Sequence, residues 1–197
     1  MARTRDADAR RRVLDSARDL VCEMGPHAVT VDGIAAAAGV GKQTIYRWWP
    51  SKSAVIMDAL VELTDPVPAD LPDSAYEAIR LQMRRVARML SSRNGELIRE
   101  VVADAQGDPA LADTFRERFF AYRRARGAAS LTRGVATGEL RPDLDVDDAL
   151  DLLYAPLWLR LLIGHRPVSP AAADRLLALA WPGLAGGHPS PPQGEGS

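Results

Sequence analysis

A chain of 197 residues, 47% hydrophobic and 26% charged, can bury one sizeable core or join a small domain to a larger one, and is too apolar to stay unfolded. Its single cysteine, Cys22, excludes an internal disulfide, and three scattered histidines offer no metal-ligand spacing with it. The net charge of −1 conceals an asymmetry, because residues 1–53 carry nine basic and six acidic side chains and no Asp or Glu falls between Asp32 and Asp58. A polyanion is drawn to that region and not to the whole molecule.

The start, "MARTRDADARRR", leads into "VLDSARDLV", whose charges spoil a signal-peptide apolar region. The longest apolar stretch, "LLYAPLWLRLLIG", is broken by Arg160 and falls short of the roughly 18 residues a spanning helix needs. The expectation is a cytoplasmic protein with no membrane partner. No stretch alternates as a strand does, while helical periodicity recurs throughout, which predicts an all-α fold of about nine helices.

In the first helix Val13, Leu14, Ala17, Leu20, Val21 and Met24 form one apolar stripe, stopped at Gly25-Pro26. Ahead of it, Arg3 and Arg5 read either as a minor-groove arm or as a solvated helix start. Cys22 lies off the stripe, which favours packing or a neutral surface role over redox sensing. Thr30 is placed to cap "VDGIAAAA", whose Ile34, Ala35 and Ala38 face inward, and Gly39 ends it. "KQTIYRWW" follows and is stopped by Pro50, and Ser51 can cap "KSAVIMDALVEL".

Pro66, Pro68 and Pro72 then make "TDPVPADLPDS" a stiff linker. The predicted organisation is a helix-turn-helix domain over 1–63, the linker over 64–73, a larger helical domain over 74–185 and a disordered tail over 186–197. In the larger domain Tyr76, Ile79, Met83, Val86 and Leu90 mark one helix, and Leu97, Ile98, Val101, Val102 and Ala105 mark the next. Asp108-Pro109 caps a long helix carrying Leu111, Phe115, Phe119 and Tyr122 to about Thr137. After the turn "GELRPDLD", a helix from about Val146 to Gly164 contains Pro156, which predicts a kink. Ser169-Pro170 opens the last helix, which reaches about Leu184.

Two short helices joined at Gly39-Val40-Gly41 make a helix-turn-helix, whose second helix can lie in a DNA major groove. Ile45 and Trp49 are four apart and pack inward. Lys42, Gln43, Thr44, Tyr46, Arg47 and Trp48 are left largely outward; all six donate hydrogen bonds and none is negative. DNA reading needs such donors to phosphates, with a few long enough to reach base edges. Of 25 basic residues only Lys42 and Lys52 are lysines, and both fall within "GVGKQTIYRWWPSK", where a compact point charge differs from an arginine fork.

"TVDGIAAAAGVGKQTIYRWWPSKSAVIMDAL" resembles the DNA-binding domain of the TetR (tetracycline-repressor-like) family of transcriptional regulators over roughly residues 10–60. The Thr cap, Ala-Gly-Val turn, Thr-hydrophobic-Tyr core and Ser-Lys pair carry the likeness. "GELRPDLDVDDALDLLYAPLWLRLLIGHRPVSP" resembles one C-terminal domain subclass of that family. The resemblance implies that Thr30 caps its helix and touches a phosphate, and that Lys42, Gln43, Thr44 and Arg47 face the groove of a palindromic operator. It implies base contacts from Gln43 and Arg47, and phosphate contacts from Tyr46, Trp48 and Lys52. Gly41 departs from the serine of many members, so a phosphate contact from that hydroxyl is missing.

The segment 149–163 is apolar on nearly every side and must be covered on both: by its own core, and by a second subunit unless the helix is wholly central in a monomer. The resemblance implies a two-fold dimer built on the last two helices, with Leu153, Leu157, Leu161, Leu176, Leu177, Ala180 and Trp181 as the expected interface. Met83, Phe115, Phe119, Tyr122, Tyr154 and Trp158 can line a cavity or be ordinary core. The resemblance favours a sensor of a small effector, which the uncharged lining makes largely apolar. No cofactor or metal is expected. A helical-bundle enzyme lacks a Cys/His/Asp cluster, a glycine-rich phosphate loop and paired carboxylates. The expected function is a repressor released by its effector, with an effector-independent DNA-binding dimer as the alternative.

Overall fold

The computed structural model describes residues 2–25, 28–63 and 71–186, and the side chains of these apart from residues 2–5, 62 and 63. Most of the proline-rich segment expected as a linker, all but Gly186 of the tail expected to be disordered, Pro26 and the side chains of Arg3 and Arg5 lie outside the described residues. The helices are α1 (Ala2–Met24), α2 (Val31–Ala38), α3 (Lys42–Trp48), α4 (Lys52–Leu63), α5 (Ala75–Leu90), α6 (Arg93–Ala105), α7 (Pro109–Phe115), α8 (Ala121–Ala136), α9 (Val146–Ile163) and α10 (Pro170–Leu184). A π turn, Arg116–Phe120, joins α7 to α8 with αR backbone at both ends, so the three run on as one rod. Among the described residues the fold is therefore all-α, with nine helical rods and one isolated bridge, Leu140 to Ala185.

Local chemistry sets the ends of these helices. The Asp108 carboxylate accepts from Leu111 N and the Ser169 hydroxyl from Ala172 N, each followed by proline at the first helical position. Asp145 accepts from both Asp147 N and Asp148 N to start α9. The π turn has no such signal in the sequence, which is why a plain long helix was expected there.

The chain divides into two compact units. The first, Met1–Pro66 with Met89–Arg123, adds α6, α7 and the π turn to the four N-terminal helices. Its core is built on α4, where Val55 to Leu60 are all buried because α1 covers one side and α6, α7 and the π turn cover another. Val13, Leu14, Ala17 and Val21 of α1 meet it, but Met24, expected on that stripe, is exposed at the helix end. Cys22 is half-buried and its thiol donates to the Arg93 carbonyl at 3.7 Å. Burial pushes that thiol up, away from the thiolate that redox sensing needs.

The second unit, Val67–Arg88 with Arg124–Ser197, holds most of α5 and α8 with all of α9 and α10. Close packing on α8 depends on small residues: a Cβ on Gly127 would sit 2.7 Å from Leu150 Cδ2, and one on Gly134 would sit 2.6 Å from Ala75 Cβ. Between these glycines the buried Ser130 hydroxyl accepts from Gln82 Nε2 at 3.0 Å, so neither polar group is left unpaired. Glu139 closes the unit by accepting from Ser74 Oγ at 2.9 Å, Ala75 N at 2.7 Å and Tyr76 N at 2.9 Å, which caps α5 from a distant loop. Arg84 of α5 pairs with Asp174 of α10, and Arg124 of α8 with Asp147 and Asp151 of α9.

Candidate nucleic-acid interface

The site is built on α2, the turn and α3. Thr30 has extended backbone and its Oγ1 accepts from Gly33 N at 3.0 Å, so α2 starts there. Gly39 ends it at φ 65°, a left-handed conformation that favours glycine, and Val40 N returns to Ala35 O at 3.0 Å. Gly41 opens α3 without a side-chain cap. Ile45 and Trp49 are then driven inward, 0% and 3% exposed, and fix which face of a seven-residue helix looks out.

On the outward face Lys42, Gln43, Tyr46 and Arg47 are exposed, while Thr44 and Trp48 are half-buried. No acid lies on α3 itself, but two reach it from elsewhere. Lys42 Nζ pairs with Asp32 Oδ2 at 2.9 Å, and Arg47 Nη2 with Asp6 Oδ1 at 3.0 Å. The hydrogen bond to Asp32, and then its charge, hold the Lys42 ammonium above its ordinary value. Arg47 also lies over the Trp48 ring at 5.0 Å and Lys42 over Tyr46 at 6.0 Å. Lys52 sits half-buried at the first position of α4, after Ser51, whose hydroxyl accepts from Ala54 N. The arrangement offers a phosphate or a base edge several donors on one short helix. It also makes Lys42 and Arg47 exchange a carboxylate for any anion they bind. The acids were missed because Asp6 and Arg47 are 41 positions apart.

The residues expected to line a pocket fare differently. Met83, Phe115 and Phe119 are buried, but Phe119 stacks on Phe115 at 5.1 Å and lies 3.8 Å from the Arg123 guanidinium, so both rings are occupied as core. Burial pushes that Arg123 guanidinium down to about 10. Tyr122 is 51% exposed and is no buried lining residue, because the π turn and α8 present it to solvent. Tyr154 and Trp158 are half-buried in the second unit, and burial pushes the Tyr154 phenol up.

The residues expected at a dimer face differ in their exposure. Leu153, Leu157, Leu161 and Leu177 are buried within the chain itself. Trp181 is half-buried, edge-on to Tyr76 at 5.0 Å, and Leu176 and Ala180 are half-buried. The apolar side chains that face out are instead Leu152, Leu159, Leu162 and Ile163 of α9 and Leu179 of α10, the last 81% exposed. A helix apolar all round gives no periodicity by which to tell its inward face.

A model of bacterial regulatory proteins of the tetR family matches residues 13–59, and one of tetracyclin repressor-like C-terminal domains matches residues 54–180. The chain belongs to the TetR family. An uncharacterized HTH-type transcriptional regulator of Bacillus subtilis (strain 168), YdeS, is 40% identical over 183 residues, which cover 92% of each chain. The TetR-family transcription regulator SCO0332 is 30% identical in a crystal structure that covers 90% of this chain and 99% of its own, with a TM-score of 0.68. FadR of Bacillus subtilis, in complex with stearoyl-CoA, shares the fold at 20% identity and a TM-score of 0.71, over 88% of this chain and 98% of its own. As a TetR-family member the chain is a DNA-binding helix-turn-helix regulator of transcription and not an enzyme. Among its described residues no helix is long and apolar enough to cross a membrane.

Proposed function

We propose that this TetR-family chain is a cytoplasmic, homodimeric repressor that reads a palindromic operator and leaves it when a small, largely apolar molecule binds the larger domain. The outward face of α3 carries this reading, with four exposed donors and no acid of its own. Gln43 and Arg47 are assigned to bases, and Thr30, Lys42, Thr44, Tyr46, Trp48 and Lys52 to the groove wall and phosphates. The exposed leucines of α9 and α10 support self-association through those two helices, since a second copy is the natural cover for such a face. Domain limits of 1–63 and 74–185 are retained for reading and sensing, with 64–73 as the linker between them.

Met83, Tyr154 and Trp158, all in the second unit, are the residues assigned to the effector. FadR's complex with stearoyl-CoA supports a small-molecule role for this fold without naming this chain's ligand. Release requires only that the effector favour a state in which α3 fits DNA poorly. A coupling of about 1–3 kcal/mol lowers DNA affinity roughly 5–150-fold, and DNA must weaken the effector by the same factor. Titrating a panel of apolar compounds into the free protein and into its DNA complex measures both sides. A binder with unequal affinities supports release. A binder with equal affinities, or a panel without binders, favours the effector-independent dimer.

A further inference from the structure

The side chain that α4 aims at the recognition helix is Asp58, 8% exposed and met from three other elements. Trp49 Nε1 donates to Asp58 Oδ2 at 2.8 Å, and Arg10 Nη2 of α1 donates to the same oxygen at 3.0 Å. Arg118 Nη1, from the π turn, donates to the other oxygen, Oδ1. A carboxylate so enclosed needs each of these donors to satisfy its oxygens, so losing one changes how it holds the rest. Trp49 is the C-cap residue of α3, and the Arg10 guanidinium lies 5.4 Å from its ring.

A helix of seven residues with no side-chain cap at its start does not hold its own pitch. Ile45 anchors it by shape alone. The Trp49 indole adds a directional bond, and that bond ends on Asp58. Arg118 reaches the same carboxylate from the one place in the α7–α8 rod where the pitch is not α-helical. Regularising that turn by a single residue would swing the guanidinium about 100° around the rod.

We propose that Asp58 and Arg118 are positioning residues for DNA reading: the series Arg118–Asp58–Trp49 holds α3 in its reading pose, so the state of the π turn sets operator fit. The inference rests on the DNA-reading role proposed above. Base contacts need the pose, whereas phosphate contacts tolerate a small tilt.

The test uses the full chain and a duplex that the unaltered chain enriches from random DNA, against a scrambled duplex of equal length. Arg118 is 48% exposed, so Arg118→Gln removes the link without opening a core. It is expected to lower affinity for the enriched duplex about tenfold while leaving the scrambled duplex and the salt slope unchanged, with Arg118→Lys restoring most of the loss. In a Trp49→Phe background, which lacks the indole donor, the same substitution is expected to cost less than about threefold. Unchanged discrimination between the duplexes, with or without a lower melting temperature, overturns the proposal by reducing Arg118 to an anchor. Equal loss on both duplexes, with a salt slope lower by about one, overturns it by making Arg118 a phosphate contact. Should Arg118→Gln fail to fold, Trp49→Phe, which removes the indole donor to Asp58, carries the comparison, and unchanged discrimination in it overturns the proposal. If the unaltered chain enriches no duplex, the DNA-reading role itself fails; if it enriches one and ignores Arg118, only this inference does.

Discussion

Lys52 and Gln43 differ in what they can contribute to an interface. Lys52, half-buried at the start of α4, brings a point charge suited to one phosphate, while exposed Gln43 can pair with an adenine edge. Lys52→Ala is expected to weaken binding to all duplexes alike and to reduce the slope of log affinity against log salt by about one. Gln43→Ala is expected to cost about 1–3 kcal/mol against the preferred sequence and to relax preference at one position. Competition assays across a salt series separate the two, and a change of sequence preference in Lys52→Ala would reverse the assignment. The Arg47–Asp6 pair, 58% and 63% exposed, is worth about 0–1 kcal/mol, and the base contact proposed for Arg47 requires breaking it. Asp6→Asn should therefore raise affinity for enriched and scrambled duplexes alike, by less than about fivefold. No gain would mean that Arg47 does not turn to DNA.

Glu139 gives the second unit a pH dependence of known sign. Burial pushes its carboxyl up, but the donors from Tyr76, Ala75 and Ser74, with Arg133 nearby, outweigh this and hold it below the usual carboxylate range. A group depressed by folding stabilises fully above its unfolded value, about 4.3, and that contribution is lost as pH falls through the lower folded value. Melting temperature should thus fall below about pH 4, and Glu139→Gln should flatten that acid limb while lowering stability at neutral pH by about 1 kcal/mol. An acid limb unchanged in Glu139→Gln would assign it to other carboxylates.

At the scale of the helix, α9 carries two opposed apolar faces. Leu153, Leu157 and Leu161 look inward, and Leu152, Leu159 and Ile163 look out, the last 68% exposed. The same Leu→Asp change should then have two outcomes. Leu159→Asp is expected to keep helical content by circular dichroism and sediment as a monomer, while Leu157→Asp buries an unpaired charge and should cost about 3 kcal/mol or more. A Leu159→Asp dimer would move the interface off this face. Helix ends were legible in the sequence because each rests on one residue's chemistry, as Thr30, Gly39, Asp108 and Ser169 illustrate. The facing of α9 was not, since both sides read alike. Neither the π turn nor the Asp58 junction was legible, because the first is an i to i+5 choice without a marker and the second joins positions 10, 49, 58 and 118. One clue was available: a tryptophan placed in the core needs an acceptor for its N–H, and Trp49 was placed there.

Over the whole molecule the charge is nearly balanced at −1, so attraction to DNA depends on where charge is placed and not on how much there is. Residues 1–53 hold the basic excess, and their helix-turn-helix presents one short helix, which in the proposed reading serves half a site. Two copies joined by two-fold symmetry present two such helices, and B-DNA then fixes their separation at about one helical turn, roughly 34–36 Å. Selection of bound duplexes from a random pool by the purified chain tests this most directly. The account predicts an enriched palindrome whose half-sites are centred about 10–10.5 base pairs, or a multiple of that, apart. Enrichment of a single asymmetric half-site, or of no sequence at all, would contradict it.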